Sequence, residues 1–217
     1  MSDTLPGHAS PNDASSHEAE PIAATRRWLE RAVIGLNLCP FAKAVLAKGQ
    51  VRFVLSDART PQALLEELAS ELVLLEQSDP ERIDTTLLIH PQVLQDFFDF
   101  NDFLDLADGA VAALDLEGEI QVASFHPDYQ FAGTGFDEVG NCTNRSPYPT
   151  LHLLREASVE RAVAAFPDPD VIVERNLETL QKLGFEGWRA CWLSESLLGG
   201  LRVEAAQRRS RAKANPP

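Results

Sequence analysis

Between Ser124 and Glu156 the chain reads SFHPDYQFAGTGFDEVGNCTNRSPYPTLHLLRE, a stretch crowded with side chains that move protons or grip anions. His126 has Asp128 two residues on, and a carboxylate beside an imidazole can orient it as a general acid or base. His152, Arg155 and Glu156 stand at i, i+3 and i+4, so on a helix they share one face, where a cation, a carboxylate and an imidazole could bind an anion and shuttle a proton. Just before them, Asn144, Arg145 and Tyr148 alternate with Pro147 and Pro149. The Arg145 fork suits a carboxylate or phosphate, and either proline could begin the helix and aim backbone N–H groups at the same anion. Each group also has a plain alternative: a histidine bonded locally, a solvated helix face, a structural turn.

Two further groups extend the set. Cys39, directly before Pro40, is placed to cap a short helix, where the helix dipole favours the thiolate; a nearby histidine would complete a nucleophilic pair. An inert core thiol is the alternative. His90 and His126 each end a strand before proline, in IHP and FHP. In parallel sheets ligands gather at that edge, so the two imidazoles meet if their strands are neighbours. With His152 they form a candidate metal set, joined by Asp128 or Cys39, for zinc, iron or haem.

The elements that must position these groups follow from periodicity. Val51–Leu55, Thr85–Ile89 and Ile120–Phe125 read as strands, and helices follow the first two, one opening at Thr60-Pro61 and one carrying Leu94, Phe97, Phe98, Leu104 and Leu106. Helices are also expected from Pro21 to Gly35 or Asn37, from Pro40 to Gly49, over Leu151–Glu156 and beyond, and from Val171 to Leu183 with Gly184 past its end. Strand–helix alternation predicts an α/β fold: a small, mainly parallel sheet of three to four strands with packed helices and an all-helical C-terminal part. A fourth strand is sought in Tyr129–Ala132 or Arg189–Leu193. The expected organisation is a disordered tail over 1–19, one domain over 20–200 and a basic flexible tail over 201–217.

Composition narrows the function classes. A formal charge of −14 and a pI near 4.7 argue against a general nucleic-acid binder. There is no apolar run long enough to span a membrane, and the three cysteines lack a CxxC pair, which suits reduced thiols in the cytoplasm. Phosphate-loop, dinucleotide, HExxH and GxSxG patterns are absent.

The segments LCPFA (38–42), TLLIHP (86–91), SFHPDYQF (124–131), NRSPYP (144–149) and LHLLRE (151–156) resemble a bacterial family known as domain of unknown function fourteen-fifteen, over about Ile22 to Trp188. The resemblance implies one bacterial domain and carries no reaction, cofactor or residue role.

The first expectation is therefore a small enzyme acting on an anionic molecule. Arg145 and Arg155 hold the anion with Asn144 and Tyr148, and His126 and His152 handle protons with Asp128 or Glu156. Cys39 is the nucleophile, as in a hydrolase or transferase. The alternatives are the metal or haem protein built on His90, His126 and His152, and a module that binds an acidic metabolite or partner without chemistry.

Overall fold

The structure, a computed structural model, describes residues 12–165 and 170–193, with side chains described over 20–165 and 171–193. The expected break at Pro167–Asp170 and the basic tail over 201–217 lie largely or wholly outside these residues. Helix α1 (Asn12–Trp28) begins inside the stretch expected to be a disordered tail, where Ala14, Glu18 and Ala19 favour helix.

The three expected strands form as read: β1 (Val51–Leu55), β2 (Thr85–Ile89) and β3 (Ile120–Phe125). Between them run α3 (Pro61–Gln77) and α4 (Phe97–Ala113), preceded in the chain by the short α2 (Ala42–Ala47). Thr60 caps α3 by accepting from the Ala63 N–H, and Asp96 caps α4 by accepting from Phe98 and Asp99.

The sheet itself departs from expectation. Thr150–Arg155 is a fourth strand, β4, and the order is β1-β2-β4-β3. β1 and β2 are parallel, while β4 lies antiparallel to both of its neighbours, so the sheet is mixed. Neither segment considered for a fourth strand forms one: Arg189–Trp192 is helical and Tyr129–Ala132 lies in the long loop.

The reason β4 is a strand is burial on both sides. Leu151 and Leu153 point into the core beneath α3 and α4, and Thr150, His152 and Leu154 fall on the opposite face. A central strand covered on both faces reads as a nearly continuous apolar run, which periodicity alone does not separate from a helix turn. Helix α5 (Glu156–Ala164) starts only where the strand ends, and Ser158 lies inside it.

Two cores flank the sheet. On one face Leu64, Leu68, Leu72 and Leu75 of α3 and Phe100, Phe103 and Ala107 of α4 pack on Leu88, Leu151 and Leu153. On the other, Trp28, the π-helical turn Leu29–Ile34 and α6 (Asp170–Trp192) pack on Leu87, with Phe53 and Phe125. Gly184, at φ +66, breaks α6 where the sequence places its end, so Phe185–Trp192 is a separate helical piece.

Candidate functional site

Over the second face of the sheet lies a cavity of about 690 Å³. Its floor is Thr85, Leu87, Ala123, Phe125, His152 and Leu154, from three adjacent strands. The π-helical turn supplies a back wall with Leu29 and Val33, and α2 and α5, neither of which has a fully buried residue, form the sides. The lining is mostly apolar, with Lys48, Glu81, Asp84 and Arg161 among its few charged residues. Size and composition match a site for a small organic molecule.

Two residues singled out by the sequence line this cavity. Cys39 lines the cavity half-buried, carried by the loop that leaves the π-helical turn, where its N–H donates to the Val33 carbonyl at 3.4 Å. The turn needs Gly35, because a Cβ there would collide with the Arg31 carbonyl. Cys39 is not the cap of α2: Phe41 holds that position, so the expected action of a helix dipole on the thiol has no basis in this geometry. His152 lies in the floor, its ring 5.8 Å from that of Phe125. Its Nε2 is 2.7 Å from the Thr85 hydroxyl, which is 2.6 Å from the Leu153 carbonyl. Burial pushes the imidazole down to about 4, so it is neutral near pH 7.

The other histidines are elsewhere. β2 and β3 are separated by β4, so His90 and His126 do not pair directly; both instead pack against Phe100, at ring distances of 5.5 and 5.2 Å. They belong to the α4 side of the sheet and His152 to the opposite side, so the metal set His90, His126 and His152 does not converge. Among the described residues no three His, Cys, Asp or Glu side chains group as metal ligands. His126 is held by its surroundings: Nδ1 accepts from the Asp128 N–H at 3.0 Å and Nε2 donates to the Leu94 carbonyl at 3.3 Å. Burial lowers its pKa, with Asp128 and Asp96 opposing. His90 is fully buried, donates from Nδ1 to the Val93 carbonyl at 3.1 Å, and is driven to about 4 by burial.

The loop between β3 and β4 uses its polar side chains on itself. Arg145 is 2% exposed; Nε donates to the Tyr129 carbonyl at 3.0 Å and Nη2 to the Phe136 carbonyl at 2.7 Å, with the guanidinium 4.5 Å from the centre of the Phe136 ring. Asn141 accepts from Phe131 N–H and Thr134 hydroxyl and donates to the Gly135 carbonyl. Asn144 donates to the Ser124 carbonyl, and burial raises the Tyr148 pKa. A long loop packed against a protein must satisfy buried backbone groups, and these side chains do that.

Arg155 is likewise structural in geometry. In a strand, residues three apart face opposite ways, so His152 and Arg155 do not share a face as the helical reading required. Arg155 donates to the carbonyls of Ile83, Leu75 and Ser78 and closes the C-terminal end of α3. Glu156 starts α5, and Asp128 is exposed; neither lines the cavity.

Sequence reasoning passed over Thr85, Lys48, Ser158 and Arg161, which all line the cavity. Ser158 donates to Asp84 at 2.5 Å and accepts from Arg161 at 2.9 Å, tying α5 to the start of β2. Only the polar start of an otherwise apolar strand marked Thr85; the others sit on surface-patterned helices without any local signal.

Fold and cavity together define a mixed α/β protein with an apolar, small-molecule-sized pocket on one face of its sheet. The chain belongs to the family described as Protein of unknown function (DUF1415), whose profile matches residues 20–190. No curated protein and no solved structure matches it. Among the described residues no helix is long and apolar enough to cross a membrane.

Proposed function

We propose that the protein is an enzyme acting on a small molecule with an apolar body and an anionic head, and that the cavity over the second face of the sheet is its site. The observation that carries this reading is the presence of Cys39 and His152, from distant parts of the chain, in the lining of one apolar cavity. The apolar body of the substrate lies along Leu87, Phe125 and Leu154. Lys48 and Arg161 replace Arg145 and Arg155 as the cations for its carboxylate or phosphate.

In the reaction the Cys39 sulfur bonds to an electrophilic carbon of the bound substrate, the proton it gives up is taken by His152, directly or through a bridging water, and His152 returns that proton to the leaving group. The product is a transferred group on sulfur, released by water or a second acceptor. Three free thiols are in keeping with a cytoplasmic setting.

Thermal denaturation of the full chain with octanoate, decanoate and decyl phosphate tests binding. A saturable rise in Tm, with Cys39 protected from iodoacetamide, is the expected result; no shift and no protection with any of them would sink the reading. Turnover of the corresponding thioesters should vanish in Cys39→Ser and His152→Ala while binding survives. Binding without turnover in the wild-type chain would leave a metabolite-binding module instead.

A further inference from the structure

Hydrogen counting at the cavity floor assigns a state to His152 that sets what chemistry it can begin. The Thr85 hydroxyl has one proton and two neighbours, the Leu153 carbonyl at 2.6 Å and His152 Nε2 at 2.7 Å. A carbonyl can only accept, so the hydroxyl proton goes to Leu153. The second contact is a hydrogen bond only if Nε2 carries a proton and donates it. Nδ1 then keeps its lone pair, and it has no hydrogen-bond partner among the described residues.

We infer that Thr85 is the positioning residue of this site, locking His152 as the Nε2–H tautomer so that Nδ1 is the proton acceptor offered to the ligand. The inference rests on the cavity being the functional site, but the tautomer itself does not depend on it. Three features make the lock rigid. Thr85 is buried and β-branched, so its rotamer is restricted. It lies on β2 and the imidazole on β4, directly paired strands. Leu153 follows His152 in the chain, so donor and final acceptor move together.

The consequence is directional. An imidazole whose one proton is tied into the sheet can take a proton from the cavity but cannot give one first, so the reaction opens with proton abstraction. Behind Nε2 stands a hydroxyl rather than a carboxylate, which gives an imidazolium little support. Burial pulls the same way, toward the neutral ring. His152 is therefore a transient carrier that hands its proton on within the turnover.

The test is nitrogen NMR of the ligand-free full chain carrying ¹⁵N-labelled histidine, with His152 assigned by its loss in His152→Gln. The expected spectrum has a protonated-type Nε2 and an unprotonated-type Nδ1. Thr85→Val should raise the Nδ1–H population above its wild-type level, and Thr85→Ser should restore the wild-type spectrum. An Nδ1–H tautomer in the wild-type chain, or the same tautomer in all three proteins, would overturn the inference. If Thr85→Val does not fold, Thr85→Ala takes its place with the same expected change. Since no ligand is present, a failed cavity assignment leaves this result untouched, and a failed lock leaves ligand binding untouched.

Discussion

Arg155, the last residue of β4, donates from Nη2 to the carbonyl of Ser78 at 2.6 Å, one residue past the end of α3. The contact staples the central strand to a helix far away in the chain, and the Ile83 carbonyl accepts from the same guanidinium. Removing it strands carbonyls that the helix cannot satisfy itself. Arg155→Met should cost about 2–4 kcal/mol in urea denaturation, and Arg155→Lys should recover little of it, because an ammonium lacks the fork. A loss under about half a kcal/mol would return Arg155 to the ligand candidates.

Arg145 and Asn141 should behave as loop clamps. Arg145→Ala and Asn141→Ala are each expected to lower stability by about 1–3 kcal/mol and to open the segment between β3 and β4 to limited proteolysis. Decanoate binding should persist in the folded fraction. A stable Arg145→Ala protein that loses binding would instead make Arg145 the anion grip.

Stability should fall on acidification between about pH 6.5 and about pH 4. His90 holds its proton only below about 4 when folded but near 6.5 when unfolded, so in this window the unfolded chain binds more protons. The sign follows directly: the contribution is complete above the unfolded value and is lost as pH drops toward the folded one. For fully buried His90 the span is worth about 3 kcal/mol. His90→Asn, whose amide can still donate to the Val93 carbonyl, should reduce the slope of unfolding free energy against pH in this range and leave the share of His152 and His126, which burial also holds below their ordinary value.

Filling the cavity should separate binding from folding. Ala123 lies in the floor opposite His152, so Ala123→Leu adds bulk into open space and should leave Tm within about 3 °C of wild type. The Tm rise with decanoate should disappear. Retained binding would place the ligand elsewhere.

A contrast of thiols follows from burial. Cys142 is 1% exposed and its pKa is pushed up to about 11, so at pH 8 only about a thousandth of it is thiolate. Mass spectrometry after brief iodoacetamide treatment of the native chain should find Cys142 unmodified and Cys39 alkylated.

Local pattern carried β1, β2 and β3, the start of α3 at Thr60-Pro61 and the break after Leu183 at Gly184; of α4 it found the helix but not its face, since Leu94 lies before it at φ +56 and Phe98 and Leu106 are exposed while Phe100, Phe103 and Ala107 are buried. It misplaced Leu151–Arg155, where apolar residues on both faces erase the alternation that marks a strand. That single change rewrote the site. The face expected to unite His152, Arg155 and Glu156 became two faces of a strand, and Arg145 turned inward to backbone carbonyls. Polar side chains in a long loop look alike in sequence whether they serve a ligand or the loop.

The sequence by itself determined that Cys39 and His152 are chemically capable, that the surface is acidic, and which segments are helix or strand wherever one face is apolar and the other is not. Only the tertiary structure decided that these two groups share a cavity, that His90 and His126 stand on the far side of the sheet, and that Thr85 governs the proton on His152. Those outcomes depend on strand order and on which way each side chain leaves the sheet. Both are set by long-range pairing of β4 between β2 and β3, and no local pattern records that pairing.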